Sequence, residues 1–211
     1  PNIFSKYPDC GVKTFDVSTI LGIHNTVMSL SYGYKHIWSH LTTSQNFGLL
    51  HTIVNSNTPV IFLTRENVPK KCLSLLLAKT SGVWGKRDDI NVSYSDLTID
   101  NDFMSKLSYF ADRYVNSRRH FRQFLSIYDN VFYVTYDDIY NTNDINDGLN
   151  ILTKMIEFLD IDTNLINESK FRNYISPKKR QNPVDTIKTI PNIDKVERWA
   201  QKKYKRSIFE D

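Results

Sequence analysis

Hydrophobic and polar residues follow one another along this chain in blocks that predict strands and helices in turn. An unbroken apolar run at 60–63 predicts a buried strand over 60–64, and β-branched and aromatic residues predict another over 131–136. Apolar residues spaced three, four or seven apart predict a long helix over 102–126 and an amphipathic helix over 147–159. Strands that alternate with helices favour a parallel sheet flanked by helices.

The rest of the chain predicts more elements of the same kind. The same periodicities predict three further helices and one short strand: helices over 17–30, 45–54 and 67–81, and a strand over 34–38. Gly82 ends the last of these helices, and residues 85–100, rich in Asp, Asn and Ser, predict an extended surface loop. No internal repeat is present, so we expect one α/β domain over residues 1–211.

Composition restricts the classes of protein to which the chain can belong. With 211 residues, of which 40% are hydrophobic, it can bury a substantial core. It contains no run of about 18 apolar residues, so no membrane span is expected. No signal peptide is visible, and two cysteines without metal-ligand spacing fit a reducing compartment. We therefore expect a cytoplasmic protein without a bound metal.

Positive charge is concentrated in two places, although the net charge is only +4. Residues 178–180 are all basic, and residues 202–206 contain four more basic side chains. These charges fit either a solvated helix face with a mobile tail or contacts with a polyanionic nucleotide or a sulfated or phosphorylated partner. Tyr204 is the one aromatic residue within these two segments, which is too few for a series of stacking platforms, so nucleic acid is not expected as a partner.

The clearest chemical signal lies where the strand over 60–64 leads into the next helix. Arg65 follows the strand directly, and Ser74 lies within the helix. A strand that leads into a helix N-terminus is a common place to bind an anion, because free backbone N–H groups and the positive dipole end meet there. Arg65 can hold phosphate oxygens bidentately and Ser74 can add a hydroxyl, so this unit predicts a phosphate site.

Each of these two residues also has a purely structural interpretation. Arg65 could form a surface salt bridge with Glu66 or Asp88, and the Ser74 hydroxyl could bond the carbonyl four residues back along its helix. Their occurrence together in one strand–helix unit favours the functional interpretation of both.

The same unit resembles the 3′-phosphate-binding segment of PAPS-dependent sulfotransferases, which has a strand, an Arg, about eight residues and a Ser on the next helix. Its spacing is nearer to the carbohydrate and bacterial branches of that family. Three weaker similarities follow the family's order: Gly33-Tyr34-Lys35, Tyr136-Asp137-Asp138-Ile139, and Ile190-Pro191-Asn192 after a basic loop. The resemblance covers roughly residues 30–200 and implies a P-loop NTPase-like sulfotransferase fold.

The resemblance implies transfer of a sulfuryl group from PAPS (3′-phosphoadenosine 5′-phosphosulfate) to a hydroxyl of a carbohydrate or small-molecule acceptor, with adenosine 3′,5′-bisphosphate as product. It assigns the 3′-phosphate to Arg65 and Ser74, with Lys179 and Arg180 closing over the same phosphate from a C-terminal loop. It also makes His36 the candidate catalytic base near the acceptor, although the family's histidine stands one position later.

One element of the family pattern is missing from the sequence. Sulfotransferases begin with a strand and a Gly/Ser/Thr-rich loop that binds the 5′-phosphosulfate, and none of the seven glycines here belongs to such a loop. The fold is therefore expected to be N-terminally incomplete, either because a preceding segment is absent from this sequence or because the protein has lost the loop and its activity. Two alternatives stay open: a non-catalytic binding or scaffold protein of the same fold, and a P-loop-type nucleotide kinase that uses Asp137 and Asp138.

Overall fold

A computed structural model describes most of the chain from residue 42 onward and a few earlier positions. The described residues are 18, 22, 24–26, 35, 42–82, 94–140, 142, 144–176 and 184–210. The helices with defined bounds are α1 (Thr43–Asn55), α2 (Val68–Ser81), α3 (Asn101–Leu125), α4 (Tyr136–Tyr140), α5 (Ile145–Phe158), α6 (Glu168–Ile175), α7 (Val184–Lys188) and α8 (Ile193–Tyr204). The strands are β1 (Val60–Thr64) and β2 (Val131–Thr135), and a 3-10 helix covers Thr163–Leu165.

Strands β1 and β2 pair in parallel and form the one sheet found within the described ranges. On one face, Phe62 packs against Phe121 of α3, with ring centroids 6.0 Å apart, and against Tyr133 of β2 at 5.8 Å. On the other face, Ile61 and Val134 pack with apolar side chains of α5. Because alternate residues of a strand point to opposite faces, each face of the sheet is covered by its own helix. The α/β class that the sequence predicts is confirmed.

The chain divides into two compact units. Unit 1 comprises residues 1–60 and 126–131, and unit 2 comprises residues 61–125 and 132–211. In unit 1, α1 begins with a capping box in which Thr42 and Gln45 exchange hydrogen bonds. The Tyr128 hydroxyl donates to the Thr58 carbonyl at 3.0 Å and ties residues 126–131 to the loop before β1. A single domain over residues 1–211 stays a prediction.

The larger core of unit 2 is formed mainly by α2, α3 and α8. Helix α2 contributes Leu73 and Leu77, and α3 contributes Leu107, all of them completely buried. Asn67 caps the start of α2, and Gly82 ends it in the left-handed conformation with φ 71°. The helices predicted over 67–81 and 102–126 are therefore confirmed as α2 and α3.

The surface loop expected over 85–100 is described for residues 94–100, which belong to no helix or strand and of which four are exposed. Two side chains of this segment are nevertheless buried. Tyr94 is 4% exposed and Ile99 is completely buried, and both belong to the larger core of unit 2. Their apolar side chains alternate with Ser, Asp and Thr, so the average composition of the segment hides them.

The basic residues at 202–206 do not lie in a mobile tail. They end α8 and lead into residues 207–210, here called the strap, which pack onto unit 2. Ile208 is completely buried, and its N–H donates to the Glu197 carboxylate of α8 at 2.9 Å. Lys203 pairs with Asp112 of α3 at 2.6 Å across the surface. The expected solvated helix face is confirmed, whereas the mobile tail is wrong because the apolar strap has a core to enter.

A second core of unit 2 joins β2 to α4, α5 and α6. Its buried members are Val134, Ile139, Leu149 and Ile175. Gly148 allows α5 to approach the backbone of α4, because a Cβ atom at this position would lie 2.3 Å from the Ile139 carbonyl oxygen. The helix predicted over 147–159 is confirmed as α5, whereas α4, α6, α7 and α8 have no predicted counterpart.

Predictions for the first 60 residues are covered only in part. The described positions between residues 18 and 26 are all helical, in agreement with the helix predicted over 17–30, and the helix predicted over 45–54 is confirmed as α1. Of the strand predicted over 34–38 only Lys35 is described, and it belongs to neither a helix nor a strand. Within the described ranges, none of the helices is long and apolar enough to cross a membrane.

Candidate functional site

Arg65 directly follows β1 and lies at the carboxyl edge of the sheet. Its guanidinium carbon is 4.3 Å from the centroid of the Tyr136 ring, and Tyr136 begins α4 directly after β2. The Nε atom of Arg65 is buried and has no hydrogen-bond partner in the described part of the chain. A buried donor without a partner costs free energy. This edge of the sheet therefore presents a planar cation with an unsatisfied donor.

Tyr114 of α3 holds the backbone at Arg65. Its hydroxyl oxygen accepts the Arg65 N–H at 3.0 Å, and the hydroxyl lies 3.4 Å from the Arg65 carbonyl oxygen, to which it can donate. Burial raises the pKa of the Tyr114 hydroxyl, so it stays protonated at neutral pH. The same aromatic ring receives Lys71 of α2, whose Nζ lies 3.4 Å from the ring centroid. Tyr114 therefore contacts both of these cationic residues.

Lys71 has no carboxylate partner among the described residues. Burial lowers the pKa of its ammonium group and the charge of Arg65 lowers it further, while the neighbouring Cys72 acts in the opposite direction. Cations that leave water are normally paired with an anion. Among the described residues, the half-buried charge of Lys71 is thus compensated only by the face of the Tyr114 ring.

Two carboxylates at this edge are already engaged. Glu66 pairs with Arg118 of α3 at 3.4 Å, and the same arginine donates to the Arg65 carbonyl oxygen at 3.4 Å. Asp137 accepts the Glu66 N–H at 3.3 Å. The sequence allows Arg65 a salt bridge with Glu66 or with Asp88. In the structure Glu66 pairs with Arg118 instead. Asp88, the other possible partner, lies outside the described residues.

The N-terminus of α2 offers fewer free backbone donors than the sequence suggests. Asn67 accepts the Lys70 N–H at 3.0 Å, and Pro69 has no N–H to offer. The Asn67 amide also donates to two carbonyl oxygens of the strap, at 2.7 Å to Ser207 and at 3.2 Å to Glu210. The expectation that free N–H groups of this helix bind an anion is therefore wrong. An anion at this edge has to be bound by side chains.

Ser74 lies one turn after Lys71 on the same face of α2. It is half-buried, and its hydroxyl makes no hydrogen bond within the described residues, the carbonyl four residues back included. The hydrogen bond that the purely structural interpretation of Ser74 requires is thus not formed, and the Ser74 hydroxyl lies one turn from Lys71.

The sequence assigns other residues to the site as well. His36, Lys179 and Arg180 lie outside the described residues. Asp138 caps α4, because its carboxylate accepts the Thr135 N–H at 2.7 Å. Over the described ranges, no group of three His, Cys, Asp or Glu side chains could hold a metal ion.

Sequence reasoning missed three residues of this edge: Lys71, Tyr114 and Tyr136. Lys71 carries one usable signal, because it follows Lys70 in the first turn of a helix, where positive charge opposes the helix dipole. Lys70 is explained by its 3.1 Å bond to the Glu210 carbonyl oxygen, whereas Lys71 has no comparable partner among the described residues. Tyr136 reaches the edge because it directly follows β2, and the sequence similarity includes it without assigning it to the site. Tyr114 reaches the edge through the packing of α3, which no local pattern reveals.

Comparisons with known proteins give this chain no relative. No family model, no curated protein and no solved structure matches it. The chemistry of the edge therefore has to be worked out from its own side chains.

Proposed function

We propose that the protein binds PAPS, or its product adenosine 3′,5′-bisphosphate, with the 3′-phosphate at Arg65, and that it transfers the sulfuryl group to a hydroxyl of a carbohydrate or small-molecule acceptor. The observation that carries this proposal is the guanidinium of Arg65, which stacks on Tyr136 and keeps a buried Nε without a partner. Its position agrees with the general rule that ligands of open α/β sheets bind outside the carboxyl ends of the strands.

Arg65 suits a phosphate in both charge and shape. Its guanidinium can donate two parallel hydrogen bonds to phosphate oxygens, and hydrogen bonds to charged groups contribute about 1.5–3 kcal/mol each. The Tyr136 ring, 4.3 Å from the guanidinium carbon, holds the plane of the guanidinium before a ligand arrives. Such preorganisation reduces the entropy that is lost on binding. The Ser74 hydroxyl adds a neutral donor on the neighbouring helix.

Sulfuryl transfer breaks the bond between the sulfur and the bridging phosphate oxygen of PAPS and forms a bond from the sulfur to the acceptor oxygen. The acceptor proton has to go to a base, for which the sequence offers His36. Lys179 and Arg180 are expected to place positive charge next to the phosphate groups. These three roles follow from the sequence resemblance and belong to the proposal.

The nucleotide-kinase alternative receives less support from the same edge. A kinase needs carboxylates that can hold Mg²⁺ beside the nucleotide. The two acidic residues after β2 already accept backbone N–H groups, Asp137 at 3.3 Å and Asp138 at 2.7 Å. The non-catalytic alternative shares the fold and is separated from the proposal by ligand binding.

The test is a calorimetric titration of the full chain with adenosine 3′,5′-bisphosphate, wild type against Arg65→Met. At about 1.5–3 kcal/mol for each charge-assisted hydrogen bond that is lost, binding should weaken at least about 10-fold. Arg119→Met is the matched control, because Arg119 is an exposed residue of α3 that donates to Asn116 at 3.1 Å. The control variant should bind like the wild type.

A second ligand tests the role of the 3′-phosphate itself. AMP lacks this group, so it should bind more weakly than the bisphosphate and should respond little to Arg65→Met. If the wild type does not bind the bisphosphate, or if Arg65→Met binds it equally well, the proposal is refuted and the non-catalytic alternative is favoured.

A further inference from the structure

We infer that Lys71 is a second phosphate-binding residue of the Arg65 site, and that the two cations together select a terminal, doubly charged phosphomonoester over a singly charged phosphodiester. This inference rests on the proposed function, since it concerns the same phosphate. It assigns a role to a residue that the strand–Arg–helix–Ser pattern does not include.

The first argument is the environment of the Lys71 charge. The ammonium group lies 3.4 Å from the centroid of the Tyr114 ring, in a half-buried position of α2. The nearby acidic side chains have other partners: Glu66 pairs with Arg118, and Asp112 of α3 pairs with Lys203 at 2.6 Å. Asp137, the other carboxylate at this edge, accepts the Glu66 N–H at 3.3 Å. Within the described residues, Lys71 is thus a half-buried residue whose charge has no counter-ion. A ligand anion would supply the missing charge.

The second argument is that Tyr114 holds Lys71 and Arg65 together. The tyrosine hydroxyl bonds the Arg65 backbone, while its ring carries the Lys71 ammonium group. The two cations are close enough that the charge of Arg65 contributes to the lowered pKa of Lys71. Two like charges held near one another in a partly buried place are unfavourable without an anion between or beside them. The edge is therefore complementary to a group with more than one negative charge.

Charge separates the two kinds of phosphate ligand. A phosphomonoester has a second pKa near 6 and carries about −1.5 to −2 at pH 7. A phosphodiester has no second ionisable oxygen and carries a single negative charge. One cation can satisfy a diester, whereas Arg65 and Lys71 together match a monoester. The 3′-phosphate of PAPS is a phosphomonoester.

The variant that tests the inference is Lys71→Met, with Lys79→Met as its matched control. Lys79 lies two turns further along α2, and its Nζ is 4.5 Å from the centroid of the Phe110 ring of α3. Both substitutions remove one positive charge and one contact with an aromatic ring of α3. Only Lys71 lies beside Arg65, so a general effect of charge should appear equally in both variants.

The probes are adenosine 3′-monophosphate and adenosine 2′,3′-cyclic monophosphate at pH 7.5, each titrated into the full chain. They share the base and differ in being a monoester and a diester. We expect the wild type to bind the monoester at least about 10-fold more tightly, as a partner charge commonly contributes on this scale. Lys71→Met should weaken monoester binding about 10-fold and leave the diester nearly unchanged. Lys79→Met should behave as the wild type.

Unfolding midpoints show whether a loss of binding merely reflects a damaged fold. Lys71→Met keeps an apolar side chain against Tyr114, so its midpoint should not fall below that of Lys79→Met, which also loses a contact between a cation and an aromatic ring. Lower affinity at an equal or higher midpoint supports a direct role in binding. A lower midpoint together with equal losses for both probes indicates a structural role and refutes the inference.

The remaining outcomes separate this inference from the proposed function. If Arg65→Met weakens monoester binding and Lys71→Met does not, the inference is refuted and the proposed function stands. If the wild type binds neither probe nor adenosine 3′,5′-bisphosphate, both are refuted.

Discussion

Substitution of Gly148 by Ala should destabilise the protein, although alanine is the better helix former. Gly148 lies in the first turns of α5, where its backbone approaches α4. A Cβ atom at this position would lie 2.3 Å from the Ile139 carbonyl oxygen and 3.3 Å from Cδ1 of Ile175. Close contacts between an aliphatic carbon and a carbonyl oxygen normally fall at about 3.3–3.6 Å. Because the group in the way is backbone, α4 or α5 has to move by about 1 Å.

The size of the effect follows from two opposing terms. Replacing Gly by Ala in a helix interior gains about 1 kcal/mol. Inserting a methyl group into a packed contact costs about 1–3 kcal/mol, and a backbone carbonyl that cannot rotate away favours the upper part of this range. The net loss should be about 1–2 kcal/mol. For a chain of 211 residues this lowers the unfolding midpoint by roughly 2–8 °C.

Gly22→Ala supplies the matched control. Gly22 is also helical, but a Cβ atom there would meet nothing within 4 Å. This variant should gain about 0.5–1 kcal/mol from helix propensity alone. Urea denaturation followed by far-ultraviolet circular dichroism measures both variants. The packing of α4 against α5 is refuted if Gly148→Ala proves as stable as the wild type or more stable.

Three further predictions concern single side chains. Asn67→Ala removes the cap of α2 and both side-chain amide hydrogen bonds to the strap. Urea denaturation should show a free energy of unfolding that is lower by about 1–3 kcal/mol. A change below about 0.5 kcal/mol would contradict the role of the strap. Burial lowers the pKa of His24 from its ordinary value of 6.5. Below pH 6.5 the unfolded chain gains a proton on this histidine before the folded protein does, so the folded protein loses stability as the pH falls. His24→Gln should therefore reduce the drop in urea midpoint between pH 7.5 and pH 5, and an unchanged drop would refute this. Burial raises the pKa of Cys72 to about 11, so only about one thiol in a thousand is ionised at pH 8. In a Cys10→Ser background iodoacetamide should label Cys72 slowly in the native protein and rapidly in urea, and equal rates would contradict its burial.

The fold could be predicted from the sequence wherever one period dominates a long segment. The long helix α3 presents apolar residues at helical spacing over 25 residues, and β1 contains an unbroken apolar run at 60–63 directly after a Pro. Helix α8 was missed although Ile193, Val196 and Ala200 share one helical face, because the charges around them dominate the average composition. Helix α4 has only five residues and depends on a reciprocal cap between Thr135 and Asp138. A pattern search has too few positions to find it.

The candidate site was predictable only as far as it is local in sequence. Arg65 and Ser74 stand in one strand–helix unit, so their spacing was visible. The contact of Arg65 with Tyr114 joins residues 49 positions apart, and that contact is what places Lys71 beside the same arginine. Which of two adjacent lysines faces Tyr114 depends on how α2 packs on α3. The sequence shows both lysines, but it does not show how α2 is rotated about its own axis against α3.

The hydrogen bond from Asn67 to Ser207 has a consequence for how the protein is made. It spans 140 positions, as does the bond from Lys70 to the Glu210 carbonyl oxygen. At about 5–20 residues per second, a ribosome needs roughly 7–28 s to add the intervening chain. During that time the Asn67 amide and the Lys70 ammonium group cannot reach their final partners, and the core has no Ile208 to enclose. Unit 2 therefore cannot complete its native packing before residues 207–210 have been made, and until then water has to solvate both of these groups.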